Sequence, residues 1–216
     1  MSAEKPRERP ILFNDQMVRA ILEGRKTVTR RIAKPVKHPD LGNIYAPGAL
    51  VLEHEPQHVF DRACPYGQPG DRLWVREAWQ GPLISDEEQA ANQSWWKDMT
   101  KFQDQAHCAY RASGDNNEYV DPDGYFHCKW KPSIHMPRWA SRILLELTAV
   151  RVERLQDISE EQARAEGYPA ERECETGGSG LDAWLWFRSL WGEINGPEAF
   201  TANPWVWVIE FKRVTP

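Results

Sequence analysis

Residues 142–167 read RILLELTAVRVERLQDISEEQARAEG and contain a strand pattern followed by a helix pattern. Its first half, Arg142–Leu155, is rich in Leu, Val and Thr and partly alternates apolar with polar side chains, which predicts a long, bent β-strand. Ser159 followed three residues later by Gln162 is close to a capping box, so a helix is predicted from Ser159 to Glu166. The stretch therefore contributes both a strand and a capped helix to the fold.

The segments on either side of this stretch add short strands and a few helices. Apolar spacing predicts an amphipathic helix over Asn14–Glu23, a core helix over Leu181–Ile194 and a buried closing strand over Trp205–Phe211. The near alternation of Arg72–Trp79 predicts another strand, and a short hairpin is predicted at Ala49–Glu53. Many short strands and few helices favour an α+β fold built on a small, mostly antiparallel β-barrel.

The domain organisation predicted from a length of 216 residues is one domain with a large insertion. Residues 1–10 are charged and are expected to form a flexible arm, while the single domain covers residues 11–216. Residues 81–128 are acidic and polar and are expected to be the insertion. No apolar run approaches the roughly 18 residues that a membrane helix needs, and the charged start MSAEKPRERP is not expected to act as a secretory signal. A cytoplasmic protein with no membrane partner is therefore expected.

The charge distribution is uneven, although the net charge is only -5. Residues 1–37 carry ten Lys and Arg against four acidic side chains, and residues 129–155 carry six against two. These two basic segments could meet to form one positive face that attracts phosphates, or they could remain two separate solvated stretches. Charge alone leaves both interpretations open.

Cysteine and histidine spacing gives no metal-binding pattern. The four cysteines form no CxxC pair and match no zinc template, so free thiols are expected at Cys64, Cys108, Cys128 and Cys174. Pro56 between His54 and His58 opposes a helix that would direct both rings at one metal ion. We therefore expect no metal and no cofactor.

Four stretches in this order resemble the ASCH domain, a relative of the PUA fold. The first is the helix running into GRKTVTRR at residues 24–31, which matches the family pattern G-x-K-x-x-T-x-R, and the second is GDRLWVRE at residues 70–77. The third is the long strand leading into LQDIS at 155–159 and its helix, and the fourth is WVIEF at 207–211. The passage PSIHMPR at 132–138 resembles ASCH proteins encoded by phages and prophages.

The resemblance implies a barrel with a cleft, which in the wider PUA group holds RNA or modified nucleosides. One bacterial ASCH branch hydrolyses N4-acetylcytidine to cytidine and acetate, and its Lys, Thr and Glu map onto Lys26, Thr29 and Glu166. Other ASCH proteins are linked to RNA cleavage or to RNA binding alone. This chain is about twice as long as the small amidohydrolases, and its insertion could narrow, cover or repurpose the cleft.

Amide hydrolysis by these residues would require a nucleophile, a base and a proton donor. Thr29 would attack the acetyl carbon, Lys26 would accept its proton as a neutral amine, and Glu166 would protonate the departing cytosine nitrogen. The pKa of the lysine must then fall from about 10.4 towards roughly 7–8. Strand alternation would direct Lys26 and Thr29 to opposite faces, so a turn is needed for them to converge.

Ligand-binding residues are expected in the basic segments and in the Trp-flanked strand. The arginines are expected to contact phosphate, and Trp74 to stack on a base or to pack in the core. Glu77 is expected to bind polar groups of the ligand or to pair with an arginine of the basic segment at residues 25–31. The composition is consistent with stacking on a base, because the chain has 11 Trp and tryptophan rings stack well on flat ligands. The expected ligand-binding residues are Arg25, Arg30, Arg31, Trp74, Glu77 and Arg138.

Three functions remain open from the sequence. The leading hypothesis is binding of RNA or a modified nucleoside in a basic, aromatic cleft. The second is an amidohydrolase that removes the acetyl group from N4-acetylcytidine, with RNA cleavage ranked below it. The third is a phage-encoded adaptor that binds a partner protein through the acidic insertion.

Overall fold

The computed structural model describes residues 6–91, 94–121, 123–169, 172 and 180–214. In this part of the chain the content is mixed α-helix and β-strand, as predicted. The strands are β1 Glu8–Leu12, β2 Val28–Ile32, β3 Val36–Lys37, β4 Ile44–Tyr45, β5 Arg72–Arg76, β6 Trp79–Gln80, β7 Ala109–Tyr110, β8 Tyr119–Val120, β9 Phe126–His127, β10 Leu144–Arg154 and β11 Trp205–Val214. The α-helices are α1 Asp15–Leu22, α2 Ala49–Leu52, α3 Gln57–Ala63, α4 Asp86–Ala91, α5 Glu160–Ala165 and α6 Asp182–Asn195.

One five-stranded sheet organises the fold, in the order β1-β5-β10-β11-β2. Strands β11 and β2 are antiparallel, with Ile209 opposite Thr29. The sheet is open rather than closed into the expected barrel, because β1 and β2 stand at its two ends and each pairs on one side only. Three two-stranded sheets, β3-β4, β6-β7 and β8-β9, complete the described strands.

The start of the described chain is an edge strand, which corrects part of the predicted flexible arm. Residues 8–10 belong to β1, and residues 1–5 lie outside the described part of the chain. The backbone around this strand is fixed by hydrogen bonds: Arg7 N donates to Asp71 Oδ1 at 2.9 Å, and Arg72 N donates to Arg7 O at 2.8 Å. An edge strand bonded in this way holds its charged side chains at defined positions on the sheet.

The helices form where local capping signals are clear. Asn14 Oδ1 accepts a hydrogen bond from Met17 N at 2.9 Å and so caps α1, as predicted. Ser159 and Gln162 form a complete capping box at the start of α5, also as predicted. The hairpin predicted at 49–53 is wrong: this segment is α2, in which Glu53 N donates to Ala49 O at 2.9 Å. Its Ala-Leu-Val-Leu sequence contains good helix formers and no turn between two strands.

The chain folds into two compact units. The first unit contains the described residues of 1–9, 20–73 and 145–214, and the second contains 10–19 and 74–144. The predicted insertion, 81–128, belongs to the second unit. The core of the first unit includes the buried side chains of Leu147 and Ile209, at 1% and 0% exposure.

Two findings concern thiols and membranes. Cys64, Cys108 and Cys128 are free, as predicted, and Cys128 is exposed, while Cys174 lies outside the described residues. Burial raises the pKa of the Cys64 thiol to about 11, so this group is a weak nucleophile at neutral pH. None of the described helices has the length and apolar composition needed to cross a bilayer.

Candidate functional site

Lys26 and Glu166 lie side by side although 140 residues separate them in the chain. Helix α1 ends at Leu22, and the turn that follows through Gly24 is closed by Lys26 N, which donates to Ala20 O at 3.0 Å. Lys26 then forms an isolated antiparallel bridge with Glu166, which caps the end of α5. Gly167 allows this approach, since a Cβ at that position would come within 3.2 Å of Lys26 Cβ.

The Lys26 ammonium is buried and fully hydrogen-bonded. Nζ donates to Glu166 Oε2 at 2.6 Å, to Glu166 O at 2.9 Å and to Val28 O at 2.8 Å, and the residue is 2% exposed. These contacts use all three donors that an ammonium has. Burial lowers the pKa of Lys26, while the Glu166 carboxylate opposes that change. The lysine is therefore closer to a neutral amine than an exposed lysine is.

Arg30 extends this pair into a longer ionic network. Its guanidinium donates to Glu166 Oε1 at 3.1 Å, to Glu153 Oε1 at 2.7 Å and to Gln162 Oε1 at 2.9 Å. Arg151 Nε donates to Glu153 Oε2 at 3.0 Å, and Nη1 of the same arginine donates to Glu210 on β11. Three cations and three carboxylates alternate, so the network carries no net charge. It consists of Lys26, Glu166, Arg30, Glu153, Arg151 and Glu210, and we call it the ionic network.

The other predicted residues of the basic segment are held in different ways. Arg25 pairs with Glu23 and also donates to Tyr168 O at 2.9 Å, so Arg25 and Arg30 are both engaged by partners within the protein. Arg31 is half-buried on β2, and desolvation lowers its pKa. Thr29 is 2% exposed, and alternation along β2 directs it to the face opposite Arg30. The structure thus brings Lys26, Arg30 and Glu166 together, and leaves Thr29 facing away from that cluster.

Trp74, Glu77 and Arg138 belong to the second unit. Glu77 is fully buried and forms a two-pronged pair with Arg142, with Nε–Oε1 at 3.0 Å and Nη2–Oε2 at 2.9 Å. Burial raises the pKa of Glu77, and the Arg142 pair opposes this change. Trp74 is buried, with the Arg76 guanidinium 4.7 Å from the centre of its ring. Glu77 thus pairs with Arg142 rather than with an arginine of residues 25–31, and Trp74 packs in the interior.

A separate polar cavity lies in the first unit, beside β1 and α3, and has a volume of about 330 Å³. Three arginines and two aspartates contribute to its wall, which gives the lining a net charge of +1. We call it the arginine pocket, and its lining residues are Arg7, Arg9, Asp61, Arg62, Cys64, Gly67, Gln68 and Asp71. Its size falls within the range of small-ligand sites.

Both aspartates of the arginine pocket are already bound by other donors. Asp71 accepts from the backbone N–H groups of Arg7 at 2.9 Å and Gln68 at 3.2 Å, and Asp61 accepts from Gln57 Nε2 at 2.8 Å. Arg9 Nη1 is buried, stands 3.8 Å from Asp71 Oδ2 and has no hydrogen-bond acceptor among the described residues. The pocket therefore holds a guanidinium donor that none of the described residues satisfies.

Gly67 is required for this arrangement. A Cβ at Gly67 would come 2.8 Å from Arg9 Nη1 and 2.9 Å from Asp71 Oδ2, and its φ of +122° disfavours any other residue. Arg62 completes the wall from α3, where it pairs with Asp40 at 2.5 Å and keeps its side chain 49% exposed.

Sequence reasoning misses the arginine pocket, although the sequence contains a signal for it. Arg7 and Arg9 belong to the basic segment 1–37, but the charged composition of residues 1–10 predicts a flexible arm rather than part of a site. Arg62 lies in a segment without a basic excess, so only the folded chain brings it to the other two. No group of three or more His, Cys, Asp or Glu side chains suited to a metal ion occurs among the described residues.

Comparisons with known proteins give little similarity. No protein-family model and no curated protein matches the chain. Among solved structures, the crystal structure of protein EF3133 from Enterococcus faecalis V583, described with the family model DUF984, covers 100% of this chain and 84% of its own. The two share 12% sequence identity with a TM-score of 0.36. At these values the similarity supports no conclusion about fold or function.

Proposed function

We propose that this chain is an ASCH-type, PUA-like protein that binds RNA or a modified nucleotide, with a phosphate group held in the arginine pocket. The observation that carries the proposal is a cavity of about 330 Å³ with three guanidinium groups in its wall. This relocates the basic cleft expected at Arg25, Arg30 and Arg31, since the Arg30 side chain is fully buried between Glu153 and Glu166.

The chemistry of the arginine pocket suits a phosphate group. Guanidinium forks bind phosphate oxygens through two parallel N–H groups, which gives both affinity and orientation. Arg9 contributes a buried Nη1 that has no acceptor in the described part of the chain, and a phosphate oxygen would satisfy it. The two aspartates in the wall repel an anion less than free carboxylates would, because backbone and side-chain donors already bind them.

The test is binding of a fluorescently labelled ten-nucleotide single-stranded RNA, together with cytidine 5′-monophosphate and cytidine as competitors. The Arg9→Ala/Arg62→Ala variant should bind RNA at least about tenfold more weakly, because it loses two charge-assisted contacts. The monophosphate should compete, and cytidine should not. Affinity for RNA should fall as salt rises.

The matched control is Arg213→Ala, which removes an exposed arginine near the end of β11. Its affinity for RNA should stay within about twofold of the wild type. Equal weakening in the control and the double variant would show general charge attraction and would refute the pocket, as would unchanged binding in the double variant.

A second candidate function is hydrolysis of the N4-acyl amide of an acylated cytidine at Lys26 and Glu166. The observation favouring it is the 2.6 Å contact between Lys26 Nζ and Glu166 Oε2, which joins a base and an acid that can exchange a proton. The lowered pKa of Lys26 brings its neutral form nearer to neutral pH.

The proposed reaction has two steps that follow an initial proton transfer. Transfer of one proton from the Lys26 ammonium to Glu166 first gives a neutral amine and a carboxylic acid. The Thr29 hydroxyl then attacks the acetyl carbon and loses its proton to Lys26, while Glu166 protonates the departing N4, so that cytidine leaves, an acetyl ester remains on Thr29 and the ammonium–carboxylate pair is restored. Water then hydrolyses the ester to acetate and restores the hydroxyl. Because Lys26 and Glu166 are closed off from solvent and Thr29 faces away from Arg30, the segment around β2 must rearrange when substrate binds.

The decisive assay measures cytidine released from N4-acetylcytidine. Thr29→Val retains the shape of the side chain and removes the hydroxyl, so it should reduce release at least about 100-fold while far-ultraviolet circular dichroism stays unchanged. No release by the wild type, or undiminished release by Thr29→Val, would reject the hydrolase and leave RNA binding unaffected.

A further inference from the structure

A large cavity in the second unit is lined by acidic and aromatic side chains. It has a volume of about 1400 Å³ and lies among α4, the turn Trp95–Lys97 and the β8–β9 hairpin. This exceeds the roughly 300–1,000 Å³ typical of small-molecule sites, so the space suits an extended segment of chain. We call this cavity the aromatic–acidic groove.

The wall of the groove carries a strong negative charge. One histidine, His107, accompanies six carboxylates, which are Asp86, Glu87, Glu88, Glu118, Asp121 and Asp123. Glu88 is bonded to His107 at 2.9 Å, and Asp121 to His127 at 2.7 Å. The other four are exposed, and none of them forms an ion pair with a described residue.

Aromatic rings stand beside these carboxylates and are open to solvent. Trp96 is 50% exposed and Phe126 is 62% exposed, and the groove also contains Trp95 and Tyr119. The rings of Trp95 and Trp96 meet edge to face at 6.1 Å between centroids, which leaves faces available for another group. Exposed apolar rings of this size mark interaction surfaces more often than isolated surface residues do.

We propose that the aromatic–acidic groove docks a basic, arginine-containing peptide segment of a partner protein. Guanidinium groups stack on aromatic faces and form two-pronged bonds with carboxylates, so one arginine can use both kinds of side chain present. The apolar stem of arginine covers ring surface while its charged end reaches the acids at the rim. RNA is a polyanion, and the six carboxylates repel it.

The inference concerns a different unit from the arginine pocket and stands independently of the proposed nucleotide binding. The groove belongs to residues 83–126, within the predicted insertion, whereas the arginine pocket belongs to the first unit. Loss of one activity should therefore leave the other intact.

The experiment titrates the full chain with a fluorescein-labelled peptide, acetyl-GRGRGRGRG-amide. The Glu87→Lys/Glu118→Lys variant should bind this peptide at least about tenfold more weakly. The Trp96→Ala variant should also lower the affinity for the peptide several-fold. The charge-matched control is Glu161→Lys/Glu193→Lys, which alters two exposed acids of the first unit. Its affinity for the peptide should stay within about twofold of the wild-type value. Binding should weaken as salt rises.

Each outcome decides the proposal. Equal weakening in the groove variant and the charge-matched control would overturn it, since general charge would then explain the affinity. Spermidine, added at the same concentration of positive charge as unlabelled peptide, should displace the labelled peptide less effectively. Equal displacement by spermidine would also overturn the proposal, because a small cation would then be sufficient for binding. Unchanged affinity in Trp96→Ala would remove the aromatic contribution and reject the groove as described.

Discussion

Glu166 is the residue on which the buried charges of the ionic network depend most. Its two carboxylate oxygens accept from Lys26 at 2.6 Å and from Arg30 at 3.1 Å, and its side chain is 3% exposed. Two cations out of water require a formal negative charge between them, because an unpaired buried charge is strongly destabilising. The stability of the first unit should therefore respond to this one carboxylate.

The Glu166→Gln substitution should lower the free energy of unfolding by about 3–5 kcal/mol, because it leaves the Lys26 ammonium buried without its counter-charge. Urea denaturation followed by tryptophan fluorescence measures the change. Adding Lys26→Met to Glu166→Gln should recover part of the loss, so the double variant should lose less than the sum of the single ones.

The control for this prediction is Glu193→Gln on an exposed turn of α6, which should change the free energy of unfolding by no more than about 0.5 kcal/mol. A loss below about 1 kcal/mol for Glu166→Gln would mean that the buried cations do not depend on this carboxylate.

Residue identities were predictable here only where a pattern or a resemblance singled them out. Lys26 and Glu166 come from the ASCH-like motif, and the structure places them in contact. The partners of Arg30 were not predictable, because Glu153 and Gln162 lie 123 and 132 residues away in sequence. Ion pairing between distant strands depends on strand order, which local sequence does not encode.

A histidine clamp holds α4 to the turn before β7. His107 Nε2 lies 2.9 Å from Glu88 Oε1, and Nδ1 lies 2.7 Å from Asp104 Oδ1. The hydrogen bond with Glu88 raises the pKa of His107, and the same contact lowers the pKa of Glu88 to about 2. Both ring nitrogens thus contact carboxylate oxygens, an arrangement that favours the protonated ring.

The sign of its pH dependence follows from these directions. Because the pKa of His107 is higher in the folded chain than in the unfolded chain, the ring stabilises the fold fully at pH values below about 6.5, the unfolded-state pKa. This contribution is lost as the pH rises through the folded-state pKa. The lowered pKa of Glu88 stabilises the fold above about pH 4.5, and that stability is lost as pH falls towards 2. Both contributions are complete between about pH 4.5 and 6.5.

The substitution His107→Gln should therefore lower the melting temperature at pH 5.5 by at least about twice as much as at pH 9. Differential scanning fluorimetry at the two pH values measures the change, with His58→Gln, an exposed histidine of α3, as the control. Equal losses at both pH values would indicate that the ring contributes packing alone.

Elements with complete local signals were predictable, and elements without them were not. Helix α5 follows from its capping box and α1 from its capping asparagine, and both appear within one or two residues of the prediction. The Ala49–Leu52 helix was predicted as a hairpin because its four apolar residues are too few to show a helical period.

At the scale of the molecule, the sequence predicts the strands but not how the sheet ends. The long strand β10 and the closing strand β11 were expected, and they pair within the sheet, away from its edges. The sequence did not predict that β1 and β2 would be the two edge strands of an open sheet. The order of strands in a sheet depends on pairing between segments far apart in the chain. The edge strand β1 was not predicted, because a segment rich in Arg and Glu is typical of a flexible arm.

The ionic network also has a consequence for assembly of the chain. Its members come from residues 26–30, 151–166 and 210, so its charges leave water together only after β2, β10 and β11 are adjacent. A sheet with β2 shifted by one position would point Arg30 to the wrong face and bury charges with nothing opposite them. The network can therefore form completely only when β2, β10 and β11 have their native order and register.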